Sequence, residues 1–127
     1  MHAKHIFIDT SSILFAIENR KDIFEIIDAE FDRSYIRTVS NGVIGELRRI
    51  GGNRSERGGM ARAAIQMISD RSIHIDRDSK RPDVWMLKIS GSASGDIFIT
   101  NDTALLRSIR AKGARVFRVS RYGISNR

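Results

Sequence analysis

Cysteine is absent from the 127 residues, and proline occurs once. Without thiols there is no disulfide, no thiolate nucleophile and no cysteine-ligated zinc, which suits a reducing compartment. No apolar run approaches the ~18 residues that a membrane span requires, so no membrane partner is expected. The amino terminus, MHAKHIFID, enters a strand-like segment without the apolar stretch and small-residue cleavage site of a secretory signal, and a cytoplasmic protein is expected. Acids also run out: beyond Asp102 there are none, while Arg107, Arg110, Lys112, Arg115, Arg118, Arg121 and Arg127 carry seven positive charges, equal to the whole net charge of +7. With 41% hydrophobic and 29% charged residues, the chain has the profile of a folded soluble protein, of a length that suits one domain over residues 1–127.

Several chemistries lack their residues. His2, His5 and His74 share no metal-ligand spacing, and Ser11 and Ser12 have no GxSxG setting or histidine partner for nucleophilic attack. The glycines of GSASGD (91–96) lie between a helix and a strand, whereas a phosphate loop joins strand to helix. Trp85 and the phenylalanines fall at core-like spacings.

What the chain does contain is an alternation of strand and helix patterns. KHIFID (4–9) reads as a buried first strand, SSILFAIENR as a helix, and Asp22 as the cap of a second helix through IFEIIDAEF. SYIRTV (34–39) reads as a strand, with Ser40 or Asn41 capping the helix that carries Glu46. GGNRSERGG (51–59) is expected to be flexible, MARAAIQMIS helical, RSIHID a strand, and Pro82 the opening of a helix through DVWMLKIS. DIFIT (96–100) reads as a central strand, TALLRSIRAK as a helix ended by Gly113, and ARVFRV as a last strand. Strands spaced by helices imply an α/β fold, a mostly parallel sheet with helices on both faces.

Four acids stand in apolar surroundings: Asp9 after HIFI, Glu46 in GVIGEL, Asp83 in RPDVWML and Asp102 in FITND. An unpaired buried carboxylate costs several kcal/mol, so a shared cation is the expectation, and all-oxygen ligands favour Mg²⁺ or Mn²⁺. Asp9 and Asp102 fall at strand carboxyl ends, where open parallel sheets assemble their sites. Val43, Glu46, Leu47 and Ile50 share a helical stripe, as do Asp83, Met86, Leu87 and Ser90, which predicts that both helices aim a carboxylate inward. Each acid also has a plain structural reading, with Asp9 and Asp102 as helix caps, Asp83 as a first-turn acid facing the helix dipole, and Glu46, least readily, as the partner of an arginine.

The ordered set FIDTSSIL, GVIGEL, PDVWMLKIS and FITNDTALLRSIRAKGARVFRV resembles the PIN-domain nucleases over nearly the whole chain. The likeness is greatest to small archaeal members related to the Fcf1/Utp24 ribosomal RNA processing nucleases, with the VapC toxins as near cousins. It implies a three-layer α/β/α sandwich and an acidic quartet of Asp9, Glu46, Asp83 and Asp102 that is both catalytic and metal-binding, holding one or two Mg²⁺ or Mn²⁺ ions. Ser11 stands where many members carry Asn, and Val84 follows Asp83 where many carry a second acid. The implied activity is RNA phosphodiester hydrolysis leaving 5′-phosphate and 3′-hydroxyl ends, with Ser11, Thr100 and Asn101 orienting the ligands. Arg48, Arg49, Arg54, Arg57 and Arg107 are candidates for RNA backbone contacts on charge alone. Partners consistent with this reading are RNA, an antitoxin or a ribosome-assembly protein, and a second copy of the chain. The alternative is a non-catalytic RNA-binding or assembly protein on the same fold.

Overall fold

The computed structural model describes residues 3–91 and 95–126; Met1, His2, residues 92–94 of the GSASGD segment and Arg127 lie outside them. Among the described residues six strands form one sheet: β1 (His5–Ile8), β2 (Ile36–Ser40), β3 (His74–Asp76), β4 (Ile97–Ile99), β5 (Arg115–Ser120) and β6 (Gly123–Ser125). Their order is β3-β2-β1-β4-β5-β6, parallel from β3 through β5, with β6 antiparallel at the edge. The helices among the described residues are α1 (Thr10–Glu18), α2 (Ile23–Glu30), α3 (Asn41–Gly51), α4 (Glu56–Asp70), α5 (Pro82–Ser90) and α6 (Thr103–Ala111).

The central strands are short apolar runs because both faces are covered. Ile6, Ile8, Ile97, Phe98 and Ile99 are fully buried, and Phe7 stacks on Phe98 and meets the edge of Trp85. Helix starts follow the expected chemistry. Asp22 caps α2 by accepting from the Phe24 and Glu25 amides, Ser40 caps α3 at Val43, and Pro82 opens α5. Gly113, at φ +81°, takes the left-handed conformation that ends α6.

Two expectations need correcting. The stretch 51–59 is not a flexible loop: α3 continues to Gly51 and α4 begins at Glu56, leaving a four-residue turn. Ser55 accepts from the Gly58 amide, and Arg62 Nη1 donates to the Gly51 and Asn53 carbonyls, so polar side chains replace the order that the glycines forgo. A Cβ on Gly58 would lie 2.0 Å from the Asn53 oxygen, so glycine is there for closeness rather than freedom. The second correction is β6, whose Gly-Ile-Ser is too short to carry a strand period.

Candidate active site at the carboxyl edge of the sheet

From β1 the chain builds outward to β2 and β3, and from β4 to β5 and β6. The seam between β1 and β4 is therefore the switch point of the sheet, where a crevice opens beyond the strand ends. Asp9 follows β1 directly, and Thr100, Asn101 and Asp102 follow β4.

Asp9 is buried, at 4% exposure. Its Oδ2 accepts from Thr100 Oγ1 at 2.5 Å and from Ser11 Oγ at 3.0 Å. Its Oδ1 accepts from the Ser12 amide at 3.1 Å, capping α1, and from the hydroxyls of Ser11 and Ser12. All these donors are neutral, and among the described residues no lysine, arginine or histidine pairs with it. Burial raises its pKa above 3.8, and the hydrogen bonds from Thr100, Ser12 and Ser11 pull it back only in part. The nearby polar turn is equally well fixed. Asn101 exchanges two hydrogen bonds with Val119 of β5, its amide donates to Ser11 Oγ, and the Asp102 amide donates to Thr100 Oγ1.

Asp102 caps α6 through Oδ1, which accepts from the Leu105 amide at 3.0 Å, and it stands exposed at the mouth of the crevice. Asp83 shares a depression of about 320 Å³ with Asp102, between α5 and α6. Glu46 lines an adjoining depression with Asn41, Gly42, Arg49 and Lys80, and Arg81 lines both. Arg81 Nε lies 3.8 Å from Asp83 Oδ1, and sequence reasoning gave no signal for this cation between the carboxylates.

The expectation that all four acids are buried holds for Asp9 alone. Glu46 is half-buried at the margin of α3, because Val43, Ile44 and Leu47 occupy the inward stripe. The Asp83 side chain is 51% exposed, since the buried face of α5 runs through Pro82, Trp85, Met86 and Ser90: of the stripe expected through residue 83, Met86 and Ser90 turn inward and Asp83 does not. Among the described residues no three His, Asp or Glu side chains stand close enough together to hold one ion. Thr100 links the Asp9 carboxylate to the Asp102 backbone amide, Asp83 and Asp102 line one depression, and Glu46 lines the next, with Arg81 common to both.

Of the arginines proposed for RNA, Arg48, Arg49, Arg54 and Arg107 are exposed, whereas Arg57 pairs with Glu18 at 3.1 Å. Much of the basic carboxyl-terminal region serves the fold: Arg110 donates to the Asn126 carbonyl and Lys112 to the Leu87 carbonyl. Arg115 begins β5 at the opposite edge of the sheet, over the Phe117 ring.

The architecture is a mostly parallel α/β sheet with polar residues at the strand ends of its switch point. No protein-family model matches the sequence, and no curated protein does either. Among solved structures the chain is similar to the PIN domain endonuclease Utp24, with a TM-score of 0.78 at 22% identity, over 96% of this chain and 90% of that one. It is also similar to a domain of a functionally unknown protein from Methanocaldococcus jannaschii DSM 2661, with a TM-score of 0.64 at 19% identity, over 93% and 92% of the two chains. The fold is that of the PIN domains.

Proposed function

We propose that the protein is a divalent-metal-dependent endoribonuclease with Asp9 at its centre. The observation that carries this reading is that Asp9 is buried at the switch point, ringed by neutral donors and paired with no cation, so that burial works against its charge. A carboxylate held ionised there gains most from a divalent ion. The set fits a hard cation in chemistry, being all carboxylate oxygen, and Asp9 and Asp102 are the two members already at the crevice. Asp83 and Glu46, which are less buried, would complete the set. Bound Mg²⁺ or Mn²⁺ supplies Lewis acidity toward water and the phosphate oxygens.

The chain's own part is orientation. Thr100 and Ser11 fix the Asp9 carboxylate, and Asn101 ties the turn to β5 so that Asp102 keeps its place. Exposed Arg48, Arg49 and Arg54 provide cations for the RNA backbone. The likeness of fold to the PIN domain endonuclease Utp24 supports the nuclease reading.

A second reading, an RNA-binding or assembly protein without turnover, is favoured by the separation of Glu46 from the other acids. Incubation with structured and single-stranded RNA in Mn²⁺, Mg²⁺ or EDTA separates the two. Cutting that stops in EDTA and in Asp102→Asn supports the nuclease; equal binding with and without metal and no cutting supports the second reading. Growth arrest on expression, relieved by a companion protein, identifies a toxin role, and accumulation of ribosomal RNA precursors on deletion identifies a processing role.

A further inference from the structure

Tyr122 is 92% exposed, at the tip of the hairpin joining β5 to β6. Nothing in the backbone asks for an aromatic there. Ser120 pairs with Gly123, and glycine takes the positive φ of +128° that closes the turn, leaving Arg121 and Tyr122 in ordinary conformations. The Tyr122 amide donates to Ser120 Oγ, which in turn donates to the Gly123 carbonyl, so the turn is pinned. Two-residue hairpins usually carry Asn, Asp or Gly at the tip. Here a fixed turn holds out a ring, with the Arg121 guanidinium 5.9 Å from its centroid.

The position matters as much as the exposure. β5 runs parallel to β4, and Val119 is hydrogen-bonded in both directions to Asn101, the neighbour of Asp102. The turn therefore leaves the sheet at the same edge as the proposed site. Beside it lies a depression of about 410 Å³, lined by Lys21, Ile26, Glu30, Arg121 and Tyr122 among others. Lys21 and Arg121 in that wall suit a phosphate, and the Glu30 carboxylate can accept from the exocyclic amino group of a base, so the lining suits a nucleotide with its base turned in beside Tyr122.

We infer that the Arg121–Tyr122 turn is a stacking platform for an unpaired base of single-stranded RNA lying along the carboxyl edge, with Tyr122 supplying the ring and Arg121 the adjacent charge. This rests on the proposed reading only in taking RNA as the ligand. An aromatic that stacks on a base contributes to affinity without reading sequence and without releasing counterions.

The test is binding of short fluorescently labelled single-stranded RNA to the full chain in EDTA, where nothing is cut, across a range of salt. Tyr122→Ala is expected to weaken binding about 5- to 100-fold with an unchanged salt slope. Tyr122→Phe is expected to bind like wild type, and Arg121→Gln to flatten the slope. Tyr122→Ala binding as tightly as wild type, or Tyr122→Phe binding as weakly as Tyr122→Ala, overturns the inference while leaving the proposed function standing. Wild type that binds RNA but never cuts it, even with metal, overturns the nuclease and leaves the platform intact. Wild type that binds no RNA overturns both.

Discussion

Thr100 Oγ1 donates a 2.5 Å hydrogen bond to Asp9 Oδ2 across the seam between β4 and β1, and the same oxygen accepts from the Asp102 amide at 3.1 Å. One buried hydroxyl thus orients the first acid and the turn that carries the last. Thr100→Val keeps the shape and removes both bonds, so it is expected to destabilise the protein by about 1–3 kcal/mol in urea unfolding. Because that bond lowers the Asp9 pKa, its loss is also expected to move the acidic limb of any metal-supported cleavage profile to higher pH, and Thr100→Ser to restore it. An acidic limb that stays in place in Thr100→Val contradicts the assignment.

Asp9 has a pH signature of its own. Its folded pKa is raised above 3.8, chiefly by burial, so the folded state holds the proton more tightly than the unfolded chain. The resulting penalty is absent below about pH 4, grows as Asp9 ionises, and is complete above the raised value. Without divalent ions, Asp9→Asn is therefore expected to melt above wild type at about pH 8, with the gap closing as pH falls toward 4. Asparagine retains the capping ability that α1 needs. A gap of constant size at every pH would show that Asp9 carries no such penalty.

Local chemistry made most of the frame legible in the sequence. Asp22, Ser40 and Pro82 mark helix starts by capping or fixed φ, and the short β-branched and aromatic runs IFI after His5 and after Asp96 suit strands buried on both faces. The polar turn after β4 was legible for the same reason, since Asp102 caps α6 whatever else it does. Burial of the acids was not, because apolar neighbours along the chain do not say which way a helix turns its first residue: Asp83 shares α5 with buried Trp85 and Met86 yet faces outward. Arg81 and Tyr122 gave no signal at all, as their roles depend on which depression or edge a loop reaches.

Gly42 sits in the first turn of α3, where a Cβ would lie 2.0 Å from the Lys80 carbonyl oxygen, and its amide donates to the Asp78 carbonyl at 3.0 Å. That contact clamps the segment before α5 onto α3 and sets Arg81 and Asp83 relative to Glu46. Gly42→Val is expected to destabilise by about 1–3 kcal/mol and to lower kcat more than KM in RNA cleavage. Gly45→Ala is the control: nothing lies within 4 Å of its added Cβ, so a gain of about 0.5–1 kcal/mol is expected, measured by the same urea titration.

Arg57 is paired with Glu18, whereas Arg48, Arg49 and Arg54 are exposed without an ion pair among the described residues. Replacing each of the three by Gln is expected to reduce the slope of log affinity against log salt by up to about 1, and Arg57→Gln to change it less. Slopes equal to that of wild type in all four variants would remove the end of α3 and the α3–α4 turn from the RNA path.

The most direct test of the acidic site is Mn²⁺ binding to wild type and to Asp9→Asn, Glu46→Gln, Asp83→Asn and Asp102→Asn, followed by calorimetry and by the thermal shift. Mn²⁺ at 100-fold over its Kd is expected to stabilise wild type by about 2.7 kcal/mol, with Asp9→Asn losing the response and the other three weakening it. Wild type without any Mn²⁺-dependent heat or shift, or Asp9→Asn binding as tightly as wild type, would contradict the assignment of Asp9 as the centre of a metal site.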